Sequence, residues 1–142
     1  MFVGEPAESR RYFWQAWRKH QAGARLEPLE VIVVNVISQH PEYHSLFAGD
    51  ERSVCEYGVG LVAQNNPFFH LGLHIALHEQ LQSDRPAGIR AHYQRQMITL
   101  GDNVHAAEHR IMKILTEVLL SAQSKGEMPD EGVYLAELAS LV

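Results

Sequence analysis

Asn66-Pro67-Phe68-Phe69-His70-Leu71-Gly72-Leu73-His74-Ile75-Ala76-Leu77-His78-Glu79-Gln80-Leu81 is the stretch on which the fold turns. Asparagine is a preferred helix N-cap, because its side-chain oxygen accepts from the orphan N–H groups of the first turn. Proline suits the next position, where its missing N–H is not needed. Phe69, Leu73, Leu77 and Leu81 then recur every four residues, the repeat of a helix and not of a strand. The spacing predicts a helix capped by Asn66 and running to Leu81. His70 and His74 border its buried stripe and face the interior.

The same signals recur on either side. A first helix is expected from about Ala7 to Gln21, with Tyr12, Phe13, Ala16 and Trp17 inward and Gly23 as terminator. Pro28 opens a second, to about Gln39, with Leu29, Ile32, Val33, Val36 and Ile37 as its stripe. His40 precedes Pro41, which disfavours helical backbone at His40; a short helical turn follows to about Phe47. Gly49 to Gln64 reads as irregular. Asp84 and Pro86 open a helix carrying Ile89, Tyr93, Ile98 and Leu100 and ending at Gly101. Asp102 caps a long helix to about Ser124, with Val104, Ile111, Leu115, Val118 and Leu119 as core and Gly126 at its end. Asp130 caps a last short helix with Tyr134, Leu135, Leu138 and Leu141. The expected fold is all-α: an antiparallel bundle of four main helices plus short ones, one domain over residues 1–142.

Composition sets the bounds. A chain of 142 residues, 46% hydrophobic and 20% charged, can bury a core without disulfides. A formal net charge of −5 argues against nucleic acid, whose phosphates require a basic surface. The longest apolar run, Val31 to Val34, is far too short for a bilayer, and the N-terminus lacks the apolar core of a signal peptide. Cys55 is the single cysteine, as suits a reducing compartment. The expectation is a cytoplasmic protein that contacts neither nucleic acid nor membrane.

Chemistry concentrates in the nine histidines. His40 with His44, His70 with His74, and His105 with His109 share a spacing of four, which on a helix stacks two side chains on one face. Two imidazoles so placed can chelate one ion, and helical bundles build metal sites from inward side chains of facing helices. The candidate ligands are His44, His70, His74, His105, Glu108 and His109. The expected ion is zinc, or a first-row ion such as iron or nickel. Glu108 falls on the apolar stripe with Val104, Ile111, Leu115 and Val118. A buried carboxylate there requires a cation, a metal or a hydrogen-bonding histidine. His40 reads instead as a helix-end hydrogen-bonding group, and His92 as part of a solvated face. Like depths in their helices predict that His109 and Glu108 approach the His70–His74 face.

His105-Ala106-Ala107-Glu108-His109 also fits the H-x-x-E-H pattern of inverted zinc peptidases. Those enzymes use larger folds and a further acidic ligand downstream, whereas only 33 residues follow His109, so peptidase activity is set aside. Tyr12, Phe13, Trp14 and Trp17 beside Arg10, Arg11, Arg18 and Lys19 suggest an amphipathic helix with its aromatics in the core and its basic groups in solvent. Gly58-Val59-Gly60 lacks the third glycine of a dinucleotide fingerprint.

Several stretches carry a family resemblance. They are Phe13-Trp14-Gln15-Ala16-Trp17-Arg18-Lys19-His20, Leu26-Glu27-Pro28-Leu29-Glu30, His40-Pro41-Glu42-Tyr43-His44, Asn66 through His74, Glu79-Gln80 and Asp84-Arg85-Pro86-Ala87-Gly88-Ile89. With the segment around Glu108-His109, they make the chain resemble, almost end to end, the bacterial family called domain of unknown function 1841. It departs from that pattern between Val54 and Ala63, where the family is richer in aspartate, threonine and proline. The resemblance implies a helical bacterial protein and supplies no activity. The architecture is also similar to hemerythrin-like and DinB-like bundles, a likeness of fold only; the Glu-x-x-His pair of ferritin-type di-iron centres is absent. Two readings follow. The first is a metal-binding helical bundle, with enzymatic activity left open. The second is a non-enzymatic interaction or scaffold module with structural histidines, docking a protein partner or a second copy of itself.

Overall fold

Pro6, Pro28, Pro41 and Pro67 each stand at the start of a helical element, where the absent N–H leaves no bond unmade. The computed structural model describes residues 6–56 and 67–141, with side chains from residue 9 onward. Its elements are α1 (Pro6–Gln21), α2 (Pro28–Ser38), a 3₁₀ turn (Pro41–Tyr43), α3 (His44–Phe47), α4 (Glu51–Glu56), α5 (Pro67–Ser83), α6 (Ile89–Thr99), α7 (Val104–Lys125) and α8 (Glu131–Ala139). Among the described residues there is no strand, and no helix is long and apolar enough to cross a membrane. The all-α class is as expected.

Contacts divide the chain into two units, Met1–Ala76 and Leu77–Val142. In the first, α1 packs on α2 and α4. Its core is a cluster of Phe13, Ala16, Trp17, Val33, Val36, Ile37, Phe47 and Val54 with Phe68, Leu71 and Ile75 from α5. Phe47 and Phe68 meet edge to face at 5.8 Å. The β-branched residues of α2 form a helix here, as Pro28 and the apolar spacing predict. Glu27 and Glu30 close its start as a capping box, the Glu30 carboxylate accepting from the Glu27 N–H at 2.8 Å and from Lys19 at 3.0 Å. That bond, followed by Lys19, holds the Glu30 carboxyl below its ordinary value despite burial.

The basic groups of α1 are not left to water. Arg10 is buried, its guanidinium lies 4.4 Å over the Phe68 ring, and it donates to the Cys55 carbonyl at 3.0 Å. Arg18 and Trp14 donate to the Gly49 carbonyl, both at 2.8 Å, and Arg11 pairs with Glu51 at 2.7 Å. The expectation of aromatics inward holds for Phe13 and Trp17. The expectation of solvated basic groups fails at Arg10, because the Cys55 carbonyl at the end of α4 needs a donor and the Arg10 guanidinium reaches it.

In the second unit α6, α7 and α8 pack on one another. Leu77, Ile89, Ile111, Leu115, Val118, Tyr134 and Leu138 are buried. Two polar ties add to this: Arg95 donates to the Leu138 carbonyl at 2.7 Å, and the Tyr134 hydroxyl to Gln80 at 2.9 Å. Ile98 and Val104, expected in the core, are 79% and 42% exposed. Val104 opens α7, before the apolar stripe is covered, and Ile98 lies near the end of α6, on its outer face. His92, expected on a solvated face, is half-buried, and burial with nearby Arg95 lowers its pKa.

Three boundaries differ from expectation. Residues 51–56 of the segment read as irregular form α4, opened by the Asp50 carboxylate accepting from the Ser53 N–H at 2.8 Å. α6 begins at Ile89, after left-handed backbone at Asp84 and Gly88 (φ 50 and 100), which a helix cannot contain. Asn103, not Asp102, caps α7, accepting from Ala106 N. Asp102 is left-handed (φ 64) and its N–H reaches back to Met97 at 2.8 Å to close the end of α6. Asn66 and residues 57–64 of the irregular segment, Gly58-Val59-Gly60 among them, lie outside the described residues.

Candidate metal centre

The first unit brings together three histidines from two elements. α2 ends at Ser38, and His40 stands between it and the 3₁₀ turn, with φ −123 and ψ 73. Its neighbour Pro41 denies it helical backbone, which directs the side chain away from the path a continued helix would give it. His70 and His74 lie one turn apart on α5. From Leu71 to Leu77 that helix is buried on every side, so the polar rings it carries must find polar partners inside. They do: His74 Nε2 is 3.1 Å from His40 Nε2 and 3.1 Å from His70 Nε2. His74 and His40 are buried, and His70 is half-buried. His70 and His74 thus take the inward orientation that the apolar stripe predicts.

The three rings do not stack. His40 and His70 meet at 85°, His70 and His74 at 83°, and His40 and His74 at 63°. The inclined rings bring one ligand nitrogen of each within 4.8 Å of those of the other two. An imidazole nitrogen has one in-plane site, holding either a proton or a lone pair. A proton between His74 and one neighbour therefore leaves the other neighbour facing the same atom. A cation at the common point meets all three. Around a tetrahedral zinc ion with bonds of about 2.0–2.1 Å, ligand nitrogens lie about 3.3–3.4 Å apart. For the two pairs that include His74, the observed 3.1 Å needs only a few tenths of an ångström of adjustment.

The far side of His40 is also built. Its Nδ1 lies 2.7 Å from the Glu42 carboxylate, and the Tyr43 ring stacks on it at 4.9 Å and 15°. The hydrogen bond from His40 holds the Glu42 carboxyl below its ordinary value. Burial, then the Glu42 charge, raises the pKa of Tyr43.

His44, another expected ligand, is held by other contacts. The His44 Nε2 is hydrogen-bonded to the Ile37 carbonyl at 3.0 Å and its ring packs on Trp17 at 4.9 Å, so it braces the end of α2. In the second unit His105 and His109 are neighbours on α7, ring centroids 3.9 Å apart, as their spacing requires. Glu108 is 2% exposed and pairs with His78 Nε2 at 3.1 Å, the histidine partner that a carboxylate on an apolar stripe demands. That pairing binds the glutamate of the H-x-x-E-H stretch into the packing of its own unit.

Sequence reasoning missed His40 and Glu42. The signal was present in His40-Pro41-Glu42: a proline that swings the histidine off the helix, and a carboxylate two residues on. It was read as a helix end because nothing in linear spacing connects residue 40 to residues 70 and 74.

The model of a protein family, described as a domain of unknown function (DUF1841), matches residues 5–140, nearly the whole chain. No curated protein and no protein of solved structure shows detectable similarity.

Proposed function

The chain belongs to the DUF1841 family, and we propose that it is a cytoplasmic metal-binding protein. His40, His70 and His74 hold one transition-metal ion, with zinc as the first choice over iron and nickel. The observation that carries this reading is the convergence of three Nε2 atoms, His74 being 3.1 Å from each of the other two. Imidazole nitrogen is a borderline donor that suits zinc, iron and nickel alike. Zinc leads because a small, largely buried set of neutral nitrogens matches its preference for few ligands. The donor set also supports a metal over a purely structural role, since three rings facing one another with single in-plane sites gain most from a shared cation.

The reading of a docking module finds less support. The basic groups of α1 that would form its contact face serve Glu30, Glu51 and the carbonyls of Gly49 and Cys55.

The test is elemental analysis of protein purified without a histidine tag, with and without reconstitution. The expected result is about one ion per chain, lost in His74→Ala. Protein that stays metal-free after reconstitution with zinc, iron and nickel overturns the proposal.

A further inference from the structure

We propose that Glu42 is the positioning residue of the metal centre, and that His40-Pro41-Glu42-Tyr43 is a ligand clamp that presents the His40 Nε2 lone pair to the ion. This rests on the metal reading above and deepens it.

A neutral histidine carries its proton on one ring nitrogen, and only the other can ligate. In water the proton favours Nε2, which would block the nitrogen that faces His74. In the protein, His40 Nδ1 lies 2.7 Å from the Glu42 Oε1, a distance at which N–H donates to a carboxylate. The proton is thereby held on Nδ1, and Nε2 is left as a lone pair 3.1 Å from His74 Nε2. Carboxylates behind metal-bound histidines act in this way, fixing ring orientation and raising ligand basicity.

The rest of the segment removes the ring's remaining freedom. Pro41 keeps His40 out of helical backbone, and the His40 carbonyl accepts from the Tyr43 N–H at 2.9 Å to close the turn. The Tyr43 ring covers one face of the imidazole. His40 is therefore held by its backbone, its far nitrogen and its face, all within four consecutive residues. His70 and His74 are instead placed by a long buried helix. The clamp does for a ligand at a helix joint what the helix does for the other two. Glu42 itself is 60% exposed, so its replacement removes little packing.

The experiment compares wild type with Glu42→Leu and Glu42→Gln, with circular dichroism as a check of folding. Zinc affinity is measured by competition with a chromophoric chelator. The His40 tautomer is read in the metal-free protein from ¹⁵N shifts of the imidazole ring. Glu42→Leu should weaken zinc binding about 10–100-fold and move the His40 proton from Nδ1 toward Nε2. Glu42→Gln, whose amide oxygen can still accept, should keep the Nδ1–H tautomer and recover part of the affinity. Zinc affinity in Glu42→Leu within twofold of wild type, with the tautomer unchanged, overturns the role of Glu42 and leaves the metal centre standing. A wild-type protein that binds no zinc, iron or nickel overturns the centre and this proposal together.

Discussion

The sharpest prediction concerns His74→Leu, read by thermal melting with and without zinc. His74 is fully buried and its Nε2 touches both other rings, so no ligand is more central to the proposed site. Without metal the substitution should change little. It takes a partner from the buried His40 ring and the half-buried His70 ring, a cost of about 1–3 kcal/mol, and it buries an aliphatic side chain instead, a gain of about 1.5–3 kcal/mol. With metal the difference is large. At free zinc a hundredfold above the dissociation constant, binding stabilises the wild type by about 2.7 kcal/mol. The unfolding entropy of about 2.1 cal/mol/K per residue sets the shift in melting temperature. It is about 9 °C if all 142 residues unfold together, and nearer 17 °C if only Met1–Ala76 does. His74→Leu should melt close to metal-free wild type and not respond to zinc. Equal zinc shifts in both proteins would refute the geometry, and no shift in the wild type would refute the site.

Three further predictions concern the scaffold around it. Glu30→Gln should cost about 1–2 kcal/mol at pH 7, mostly through the weakened capping box, since Lys19 is half-exposed. Because the folded carboxyl titrates below its ordinary value of 4.5, the contribution is full above that value and fades as pH falls through the folded pKa. Urea titrations of wild type and Glu30→Gln should therefore converge in acid, and a gap that persists at pH 2 contradicts the assignment. His78→Ala should destabilise by about 1–3 kcal/mol by removing a partner of the buried Glu108 carboxylate, and adding Glu108→Leu should recover part of that loss; strictly additive losses in chemical denaturation would show that the pair is not coupled. Asn103→Ala should lose about 1 kcal/mol as the α7 cap is removed, whereas Asp102→Gly should be neutral or stabilising at its left-handed position; the reverse order would restore Asp102 as the cap.

The helices were legible because their causes are local. Prolines at first positions, glycines at ends and apolar residues at helical spacing act within a few residues of where they stand, and the bounds of α1, α2, α7 and α8 fall within a residue or two of those signals. His70 and His74 facing inward was legible for the same reason. Where two polar residues compete for one role, as Asp102 and Asn103 do, the sequence offers both, and backbone geometry chooses. Only the tertiary structure brought His40 to His70 and His74, gave it Glu42 as a brace, turned His44 toward the Ile37 carbonyl and paired His78 with Glu108. The physical reason is range. Helix formation is decided by neighbours along the chain, whereas a ligand set requires atoms about 3 Å apart from residues thirty positions distant, and that proximity exists only once the core between them has packed.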